Sequence, residues 1–283
     1  MTNMRNFMNG DNFFRFVRDE NKPPVRCEFC GRLLYYVYPV VGGRQSSAGF
    51  YETCDCEGVK QREVEEERKY IEELQQKAKL ARVEKLLSQS NLGRRFMERT
   101  FENFRSDLNP EAYRVALDYA QNFEVYAQKG QGLIFTGSFG VGKTHLAAAI
   151  ANYLIVHKSV PVVFGSVSFL LGKLKKAYDS ESISADRIEK QLCTVDLLII
   201  DDLGKEKPTE WLVEKLYYII NSRYEDYRPV VITTNLALDE IEQRLNIAGS
   251  LAGSAIVSRL VEMCRIVPMH GQDFRLSLRK NAC

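Results

Sequence analysis

Eight consecutive residues of this 283-residue chain match the pattern GxxxxGK[ST], which forms phosphate-binding loops. They read Gly137-Ser-Phe-Gly-Val-Gly-Lys-Thr144, with a strand-like apolar run before them and a helix-forming run after them. Glycines let the backbone turn its N–H groups toward phosphate oxygens, and the start of a helix favours negative charge. The pattern predicts a nucleoside triphosphate site in which Lys143 contacts the β- and γ-phosphates and Thr144 binds magnesium.

Two later runs of apolar residues end in polar side chains. Leu-Leu-Ile-Ile precedes Asp201 and Asp202, and Val-Val-Ile-Thr-Thr precedes Asn235. Both runs are typical of buried parallel strands, whose carboxyl ends meet at the ligand-binding edge of a sheet. We expect Asp201 to bind magnesium, Asp202 to orient or deprotonate the attacking water, and Asn235 to hold that water or sense the γ-phosphate. Taken alone, the two acids could cap a helix and the Asn could form a turn.

Four of the seven cysteines form two close pairs near the start of the chain, at Cys27 and Cys30 and at Cys54 and Cys56. Four thiolates at CxxC…CxC spacing suit tetrahedral zinc with every position filled, which is a structural site. A region this small lacks a sufficient core, so metal would supply its stability. A redox CxxC is the alternative, and the second pair disfavours it.

Three regions differ in composition and divide the chain into an N-terminal zinc-binding domain (1–58), a connector helix (59–92) and an α/β domain (93–283). Strands are predicted at 132–136, 160–164, 197–201, 230–234 and 264–268. Helical patterns between them are predicted near 143–156, 167–178, 184–192, 209–226 and 239–245. Strands that alternate with helices predict a five-stranded parallel sheet. The charged connector helix could also form a coiled coil with another chain, although its heptads are few.

Composition limits the class of protein. Hydrophobic residues make up 45% of the chain and the formal net charge is +2, which is typical of a globular protein. The three regions carry net charges of 0, +1 and +1, which excludes a strongly basic, constitutive DNA binder. The N-terminus has no apolar signal core and no run of about 18 apolar residues occurs, so we expect a cytosolic protein without a membrane span.

The order GSFGVGKTH, LLIIDDLG, VITTN and AIVSRL resembles the AAA+ ATPases and, within them, the DnaC/IstB-like clade of helicase loaders and transposition helper ATPases. The similarity covers residues 93–283, and residues 94–104 resemble the segment before the core in that clade. The resemblance implies an AAA+ P-loop fold. Because only 15 residues (269–283) follow the last predicted strand, we expect this chain to lack the full helical lid of that family. It also implies ATP as the ligand. The expected ATP-binding residues are Gly137, Ser138, Phe139, Gly140, Val141, Gly142, Lys143, Thr144 and His145.

The resemblance also assigns roles in catalysis, for which we expect Lys143, Asp202, Asn235 and Arg259. Asn235 matches the family's sensor residue, and Arg259 matches its arginine finger, which acts on the ATP of a neighbouring subunit and so implies a ring or spiral. Arg259 could instead be an ordinary surface arginine. Asp202 is one methylene shorter than the usual Glu, which predicts slow hydrolysis. Arg275 is the one nearby candidate for a second sensor.

DNA and protein contacts are predicted from shorter patterns. Lys173, Lys175 and Lys176 follow the second strand and could contact DNA phosphates, or they could form a solvated helix face. The resemblance implies that the N-terminal domain docks on a helicase. Phe13, Phe14, Phe16 and Val17 could form the docking surface or could pack on the zinc module.

These observations predict an ATP-dependent loader of a hexameric replicative helicase onto single-stranded DNA. Its expected cofactors are ATP, Mg²⁺ and Zn²⁺. The alternatives are a transposition helper ATPase that binds duplex DNA and a transposase, and a zinc-stabilised adaptor whose ATP site is only a scaffold. Because the chain is nearly neutral, we expect DNA affinity to arise mainly after ATP-driven assembly, where repeated weak patches act together.

Overall fold

A computed structural model describes residues 15–179, 184–247 and 249–274. The chain divides into two units, Met1–Ala78 and Lys79–Cys283. The boundary lies within one long helix, whereas the sequence predicted boundaries at 58 and 92, and those domain limits remain a prediction. Among the described residues, no helix is long and apolar enough to span a lipid bilayer.

The first unit contains short antiparallel strands followed by the start of the long helix. Strand β4 pairs with β1, β5 and β6, and β2 pairs with β3 as a separate ribbon. Its elements are β1 (Arg15–Arg18), β2 (Val25–Arg26), β3 (Leu33–Leu34), β4 (Tyr36–Val41), β5 (Arg44–Gln45), β6 (Phe50–Tyr51) and α1 (Glu57–Gln89).

The second unit alternates helices with five strands. A π-helical turn, Leu154–Lys158, extends α5. After α1, its elements are α2 (Arg94–Met97), α3 (Pro110–Gln121), α4 (Phe123–Gln128), β7 (Gly132–Gly137), α5 (Lys143–Tyr153), β8 (Val162–Ser166), α6 (Val167–Asp179), α7 (Ser184–Thr194), β9 (Leu197–Asp201), α8 (Glu210–Glu225), β10 (Val230–Thr234), α9 (Leu238–Leu245), α10 (Ala252–Met263) and β11 (Cys264–Met269).

The five strands of this unit form one parallel sheet in the order β11-β7-β10-β9-β8. Every residue of β9 and β10 is buried, because apolar clusters cover both faces of the sheet. The sheet confirms the predicted α/β fold class. Each predicted strand lies within two residues of an observed one. The α3 and α4 helices had no predicted counterpart.

Strand register places the functional ends of the strands side by side. Thr234 of β10 pairs with Thr136 of β7, and Ile232 pairs with Ile200 of β9. The next residues along these strands are Gly137 and Asp201, so the phosphate loop and the acidic pair begin at one edge of the sheet. This is the edge at which open parallel sheets bind ligands.

A buried arginine fixes the approach to β10. The Arg223 guanidinium on α8 is fully buried and donates hydrogen bonds to the carbonyl oxygens of Leu192, Cys193 and Pro229, at 3.0, 3.2 and 2.7 Å. Burial lowers the pKa of Arg223 to about 9, yet the group stays protonated near neutral pH. Arg223 therefore supplies hydrogen-bond donors to backbone carbonyl oxygens at the end of α7 and directly before β10, the strand that Asn235 follows.

Candidate nucleotide site and cysteine cluster

The phosphate loop joins β7 to α5 and is shaped by glycine. Gly142 has φ of +102°, and a Cβ there would lie 2.7 Å from Cε2 of Phe104. A side chain at this position would meet both backbone strain and the Phe104 ring. Gly142 therefore lets the loop close against Phe104 immediately before Lys143 begins α5.

The Lys143 ammonium lies inside the loop. Its Nζ donates to the carbonyl oxygens of Gly137 and Ser138 and to Oδ1 of Asn235, each at 2.7 Å. These partners lie at the ends of β7 and β10, so the structure brings together two residues that are 92 positions apart. Lys143 as a whole is 5% exposed, so it is a nearly buried residue whose ammonium group contacts the loop carbonyls.

Thr144 and Asp201 are in direct contact. Thr144 Oγ1 donates to Asp201 Oδ1 at 2.8 Å, and Thr233 Oγ1 donates to the same oxygen at 2.6 Å. Burial raises the pKa of Asp201, and these two hydroxyl groups partly oppose the rise. A buried carboxylate beside a hydroxyl is a suitable oxygen donor set for Mg²⁺. Thr144 and Asp201 therefore fit the predicted magnesium ligands.

Asp202 has a left-handed backbone, with φ of +54°. This conformation is uncommon for a residue other than glycine, although Asp and Asn tolerate it best. The Asp202 N–H donates to Thr233 Oγ1 at 2.9 Å, which secures the turn, and Asn235 Nδ2 lies 3.5 Å from Asp202 Oδ1. Asp201 thus contacts Thr144 and Thr233, whereas Asp202 lies beside Asn235, so the two acids have different partners in the site.

A cavity of about 550 Å³ connects these groups, and its volume suits a small-molecule ligand. Its lining includes residues of the phosphate loop, His145, the acidic pair and Asn235. It also includes residues that sequence analysis did not assign to the site. These are Arg95, Phe96, Arg99, Asn103, Phe104, Arg105, Leu108, Lys205 and Phe274.

Most of these additional residues belong to a lead-in segment, residues 94–108. The distance from His145 Nε2 to the Thr100 carbonyl oxygen is 2.9 Å. Asn152 Nδ2 donates to the carbonyl oxygens of Phe96 and Arg99 at 2.9 and 2.7 Å. Burial lowers the pKa of His145, which favours the neutral ring. His145, which is predicted to bind ATP, lines the cavity described above and also contacts the lead-in segment.

Arg259 lies on α10, and it is not among the residues that line the cavity. Its Nε donates to Asn221 Oδ1 at 2.7 Å, and the guanidinium carbon lies 5.2 Å from the centre of the Tyr217 ring. Lys143, Asp202 and Asn235 therefore line the same cavity, whereas Arg259 lies outside it on α10 of the same unit.

The three lysines predicted to contact DNA are exposed on α6. Lys173 donates to Asn91 Oδ1 at 2.7 Å and lies 4.5 Å from the centre of the Phe169 ring, while Lys175 lies 6.0 Å from that of Trp211. Two of the three lysines thus lie beside aromatic rings, a combination found in surfaces that bind single strands.

The four N-terminal cysteines converge in the first unit. Their sulfur atoms all lie within 4.8 Å of one another, with 3.7 Å between those of Cys27 and Cys56 and 3.4 Å between those of Cys30 and Cys54. Zinc held by four sulfur atoms at 2.3 Å requires sulfur–sulfur distances of about 3.8 Å. A disulfide needs about 2.05 Å. The cluster therefore fits a Zn²⁺ ion and is not a pair of disulfides.

The backbone around Cys27 favours a thiolate. The N–H groups of Cys30 and then Phe29 contribute most to lowering the pKa of the Cys27 thiol to about 6. For Cys54, the N–H of Cys56 acts in the same direction, but the neighbouring thiols and burial raise the pKa to about 12. A dication bound by the four sulfur atoms would stabilise each of them as a thiolate.

The turn after Cys30 depends on a residue that the sequence analysis did not use. Gly31 has φ of +73°, and its N–H donates to the Cys27 carbonyl oxygen at 2.9 Å. The Cys27 N–H donates in turn to the Arg32 carbonyl oxygen at 2.8 Å. Glycine directly after the second cysteine was the available signal, because the tight turn needs a residue that adopts positive φ without strain.

Some predicted residues lie outside the described part of the chain, namely Phe13, Phe14 and Arg275. Of the expected docking surface, Phe16 and Val17 belong to β1. The Phe16 ring packs edge-to-face on Phe50 with 5.9 Å between centres, and Val17 is exposed.

Comparisons with known proteins agree with this geometry. YqaM of Bacillus subtilis (strain 168), an uncharacterized protein, is 32% identical over 210 residues, covering 70% of this chain and 63% of YqaM. The replicative helicase loader DnaC of Buchnera aphidicola subsp. Schizaphis graminum is 30% identical over 162 residues, covering 56% of this chain and 64% of DnaC. The chain thus spans less than two thirds of either relative's length.

A solved structure and a family model extend the comparison. A crystal structure of the DnaC helicase loader has a TM-score of 0.53 and 29% identity, covering 63% of this chain and 100% of that one. The model of the family described as IstB-like ATP binding protein matches residues 58–282, which is most of the chain. The resemblance inferred from the motifs is confirmed, and the chain belongs to the IstB-like family of ATP-binding proteins, within the AAA+ P-loop fold.

Proposed function

We propose that this chain is a magnesium-dependent ATPase that loads a hexameric replicative helicase onto single-stranded DNA. The observation that carries the proposal is the complete set of contacts around Lys143, Thr144, Asp201 and Asn235 in a chain about 30% identical to replicative helicase loaders named DnaC. A transposition helper shares the family, but the named helicase loaders favour the loader role.

The nucleotide's phosphates occupy the loop around Lys143. The ammonium exchanges the carbonyl oxygens of Gly137 and Ser138 for phosphate oxygens, which carry more negative charge and give stronger hydrogen bonds. Thr144 and Asp201 would hold a magnesium ion, which when bound would neutralise part of the phosphate charge. Because this ion would also offset the cost of burying Asp201, ATP and magnesium bind together.

Asn235 links the phosphate site to the hydrolytic residue. Its amide oxygen accepts from Lys143 Nζ, and its amide nitrogen lies 3.5 Å from Asp202 Oδ1. When Lys143 turns to the phosphates, the amide oxygen becomes available to a water molecule. Asn235 and Asp202 then orient that water toward the γ-phosphate, and Asp202 accepts its proton.

Replacing Asp202 with asparagine is expected to lower ATP turnover about 100- to 1,000-fold, because an amide cannot accept the proton. ATP affinity should change less than about threefold, since asparagine also tolerates a positive φ. Steady-state phosphate release and equilibrium ATP binding measure the two quantities. The exposed Asp226→Asn is the matched control. Unchanged turnover in Asp202→Asn would contradict the assignment of Asp202 as the base.

Arg259 is proposed to act in trans, on the ATP of a neighbouring subunit in an ATP-dependent ring or spiral. Its permanent charge would stabilise the γ-phosphate during transfer. This role is consistent with its place outside the cavity of its own chain. Lys173, Lys175 and Lys176 are proposed to contact single-stranded DNA, and the cysteine module to dock on the helicase with zinc as its structural ion.

The test uses full-length protein with MgATP, a replicative helicase from the same host and circular single-stranded DNA. We expect the protein to retain the helicase in a pull-down and to increase the amount of helicase on the circle several-fold. Lys143→Ala should abolish the ATP-dependent part of both signals. Lys190→Ala, which removes an exposed lysine on α7, is the control.

Other results would redirect the assignment. Retention of a transposase with duplex DNA, and not of a helicase, would favour the transposition helper. Helicase binding that is indifferent to ATP and to Lys143→Ala, with no turnover, would identify an adaptor whose nucleotide site is only a scaffold. Either result overturns the loader proposal.

A further inference from the structure

The residues directly after β11 return to the phosphate loop. We call residues 270–274 the strap segment. The Phe274 N–H donates to the Gly140 carbonyl oxygen at 3.2 Å, and Ser138 Oγ donates to the Gly271 carbonyl oxygen at 3.4 Å. A Cβ on Gly140 would lie 1.9 Å from Asp273 Oδ1. The strap therefore lies so close to the loop that only glycine fits at position 140.

A second set of contacts joins the strap to the end of the lead-in segment. The His270 N–H donates to Asn109 Oδ1 at 3.0 Å, and Asn109 Nδ2 donates to the Val141 carbonyl oxygen at 3.3 Å. One buried amide thus holds both the strap and the phosphate loop. The position of the strap is consequently tied to the loop that binds phosphate.

An arginine and an aromatic ring face each other between the two segments. The Arg105 guanidinium carbon lies 5.7 Å from the centre of the Phe274 ring. Arg105 is itself fixed by two hydrogen bonds to Asp107, at 2.9 and 2.7 Å. Both Arg105 and Phe274 line the 550 Å³ cavity. They therefore connect the lead-in segment to the strap within the same cavity that contains Lys143.

The other phenylalanines of the cavity have different surroundings. Phe104 stacks on Tyr113 at 5.9 Å and meets His145 edge-on at 5.2 Å, and Phe96 packs on Phe164 at 5.2 Å. Both rings pack against the apolar core. Phe139 lies on the phosphate loop itself and is 64% exposed. Phe274 is thus the aromatic ring that the strap contributes to the cavity, beside Gly140 and Arg105.

We propose that Phe274 stacks on the base of the bound nucleotide and that Arg105 is a positioning residue for its ring. This inference rests on the proposed nucleotide site and deepens it. Because the loop N–H groups and Lys143 fix the triphosphate, the base must lie along the rest of the cavity, toward the lead-in segment and Phe274. A ring that stacks on the base selects nucleotides over polyphosphate without a base, and aromatic stacking tolerates any base with a flat face.

The test compares two probes on the full-length protein with magnesium, the non-hydrolysable ATP analogue AMP-PNP and inorganic tripolyphosphate. Phe274→Ala is expected to raise the Kd for AMP-PNP about tenfold or more, and to leave the Kd for tripolyphosphate unchanged. Phe274→Trp should retain the affinity for AMP-PNP. Arg105→Ala should raise that Kd about threefold, and Arg105→Lys should restore most of it. Tyr218→Ala, an exposed aromatic residue on α8, is the control.

The outcomes separate the possibilities. Equal losses for both probes in Phe274→Ala would mean that the ring only supports the loop at Gly140, which overturns the proposal. No loss for either probe overturns it as well. Thermal melting of each variant without ligand identifies a folding defect, and in that case Phe274→Trp decides the question. If the unaltered protein binds neither probe, the nucleotide site itself fails, which is a different result.

Discussion

Replacing Lys143 with alanine is expected to weaken MgATP binding by about 100-fold, which is the effect of losing charge-assisted hydrogen bonds at a nearly buried site. The variant loses the positive charge that is directed into the loop, while Gly137, Gly140 and Gly142 still shape the backbone. Ligand-induced stabilisation gives a direct measurement. At a concentration 100 times the normal Kd, AMP-PNP should raise the free energy of unfolding by about 2.7 kcal/mol in the unaltered protein and by about 0.4 kcal/mol in Lys143→Ala.

Controls distinguish this effect from general damage. Lys143→Arg keeps the charge but replaces the compact ammonium with a larger planar group, so it should recover only part of the affinity. Lys190→Ala should bind AMP-PNP like the unaltered protein. The assignment of Lys143 would be wrong if Lys143→Ala kept full affinity. Lys143 also bonds to Asn235, so its replacement can lower the free energy of unfolding without ligand. The ligand-induced increase is therefore measured relative to the ligand-free value of the same variant.

The sheet and the phosphate loop were predictable because their signals are local. Each strand is a short apolar run, and a parallel sheet buries both faces of such runs. The site chemistry follows the strand ends, since Asp201 ends β9, Asn235 directly follows β10, and Lys143 follows the loop after β7. In the parallel pairs Thr234 lies beside Thr136 and Ile232 lies beside Ile200, so these strand ends are neighbours.

The contribution of the lead-in segment and of Phe274 to the cavity was not predictable from local patterns. The lead-in segment contains little regular structure, and its place depends on side chains far along the chain. His145 and Asn152 hold it by its carbonyl oxygens, across separations of 45 to 56 residues. A single asparagine within an alanine-rich helix predicts no such contact. The position of Phe274 likewise depends on a hydrogen bond from its backbone N–H to the Gly140 carbonyl oxygen. Residue spacing in the sequence does not predict this contact.

The cysteine module was predictable in its metal-binding residues but not in its strands. The spacing of the two pairs predicted a four-sulfur site, and the sulfur atoms do converge. Strands β3, β4, β5 and β6 lie between the two pairs, and three of them contain only two residues. β3 pairs with β2 across a turn at Gly31, and β5 pairs with β4 across a turn at Gly42 and Gly43. Such short strands carry too few residues for an alternation of apolar and polar side chains to be recognised.

Removal of zinc is expected to unfold the cysteine module while leaving the nucleotide site functional. The module buries few apolar groups. Among its described residues, the buried hydrophobic ones are Cys27, Val37, Cys54 and Val59, with Leu34 and Cys56 partly buried. Such a core cannot offset the conformational entropy of ordering the strands. Zinc binding supplies about 10 to 16 kcal/mol in small zinc modules, so the ion is the main source of stability there.

The measurement pairs metal content with thiol reactivity on the full-length chain. We expect one zinc per chain and slow modification of the four cluster thiols. A zinc-selective chelator, or the variant Cys30→Ser, should remove the ion, speed modification of the remaining cluster thiols at least about 100-fold and make residues 15–56 sensitive to protease. Cys193→Ala, which changes a buried cysteine of the other unit, should keep its zinc. AMP-PNP affinity should be unaffected by the chelator, because every residue that lines the nucleotide cavity lies beyond residue 78. Purified protein without zinc, with a protease-resistant module and four rapidly modified thiols, would contradict the structural role of the metal.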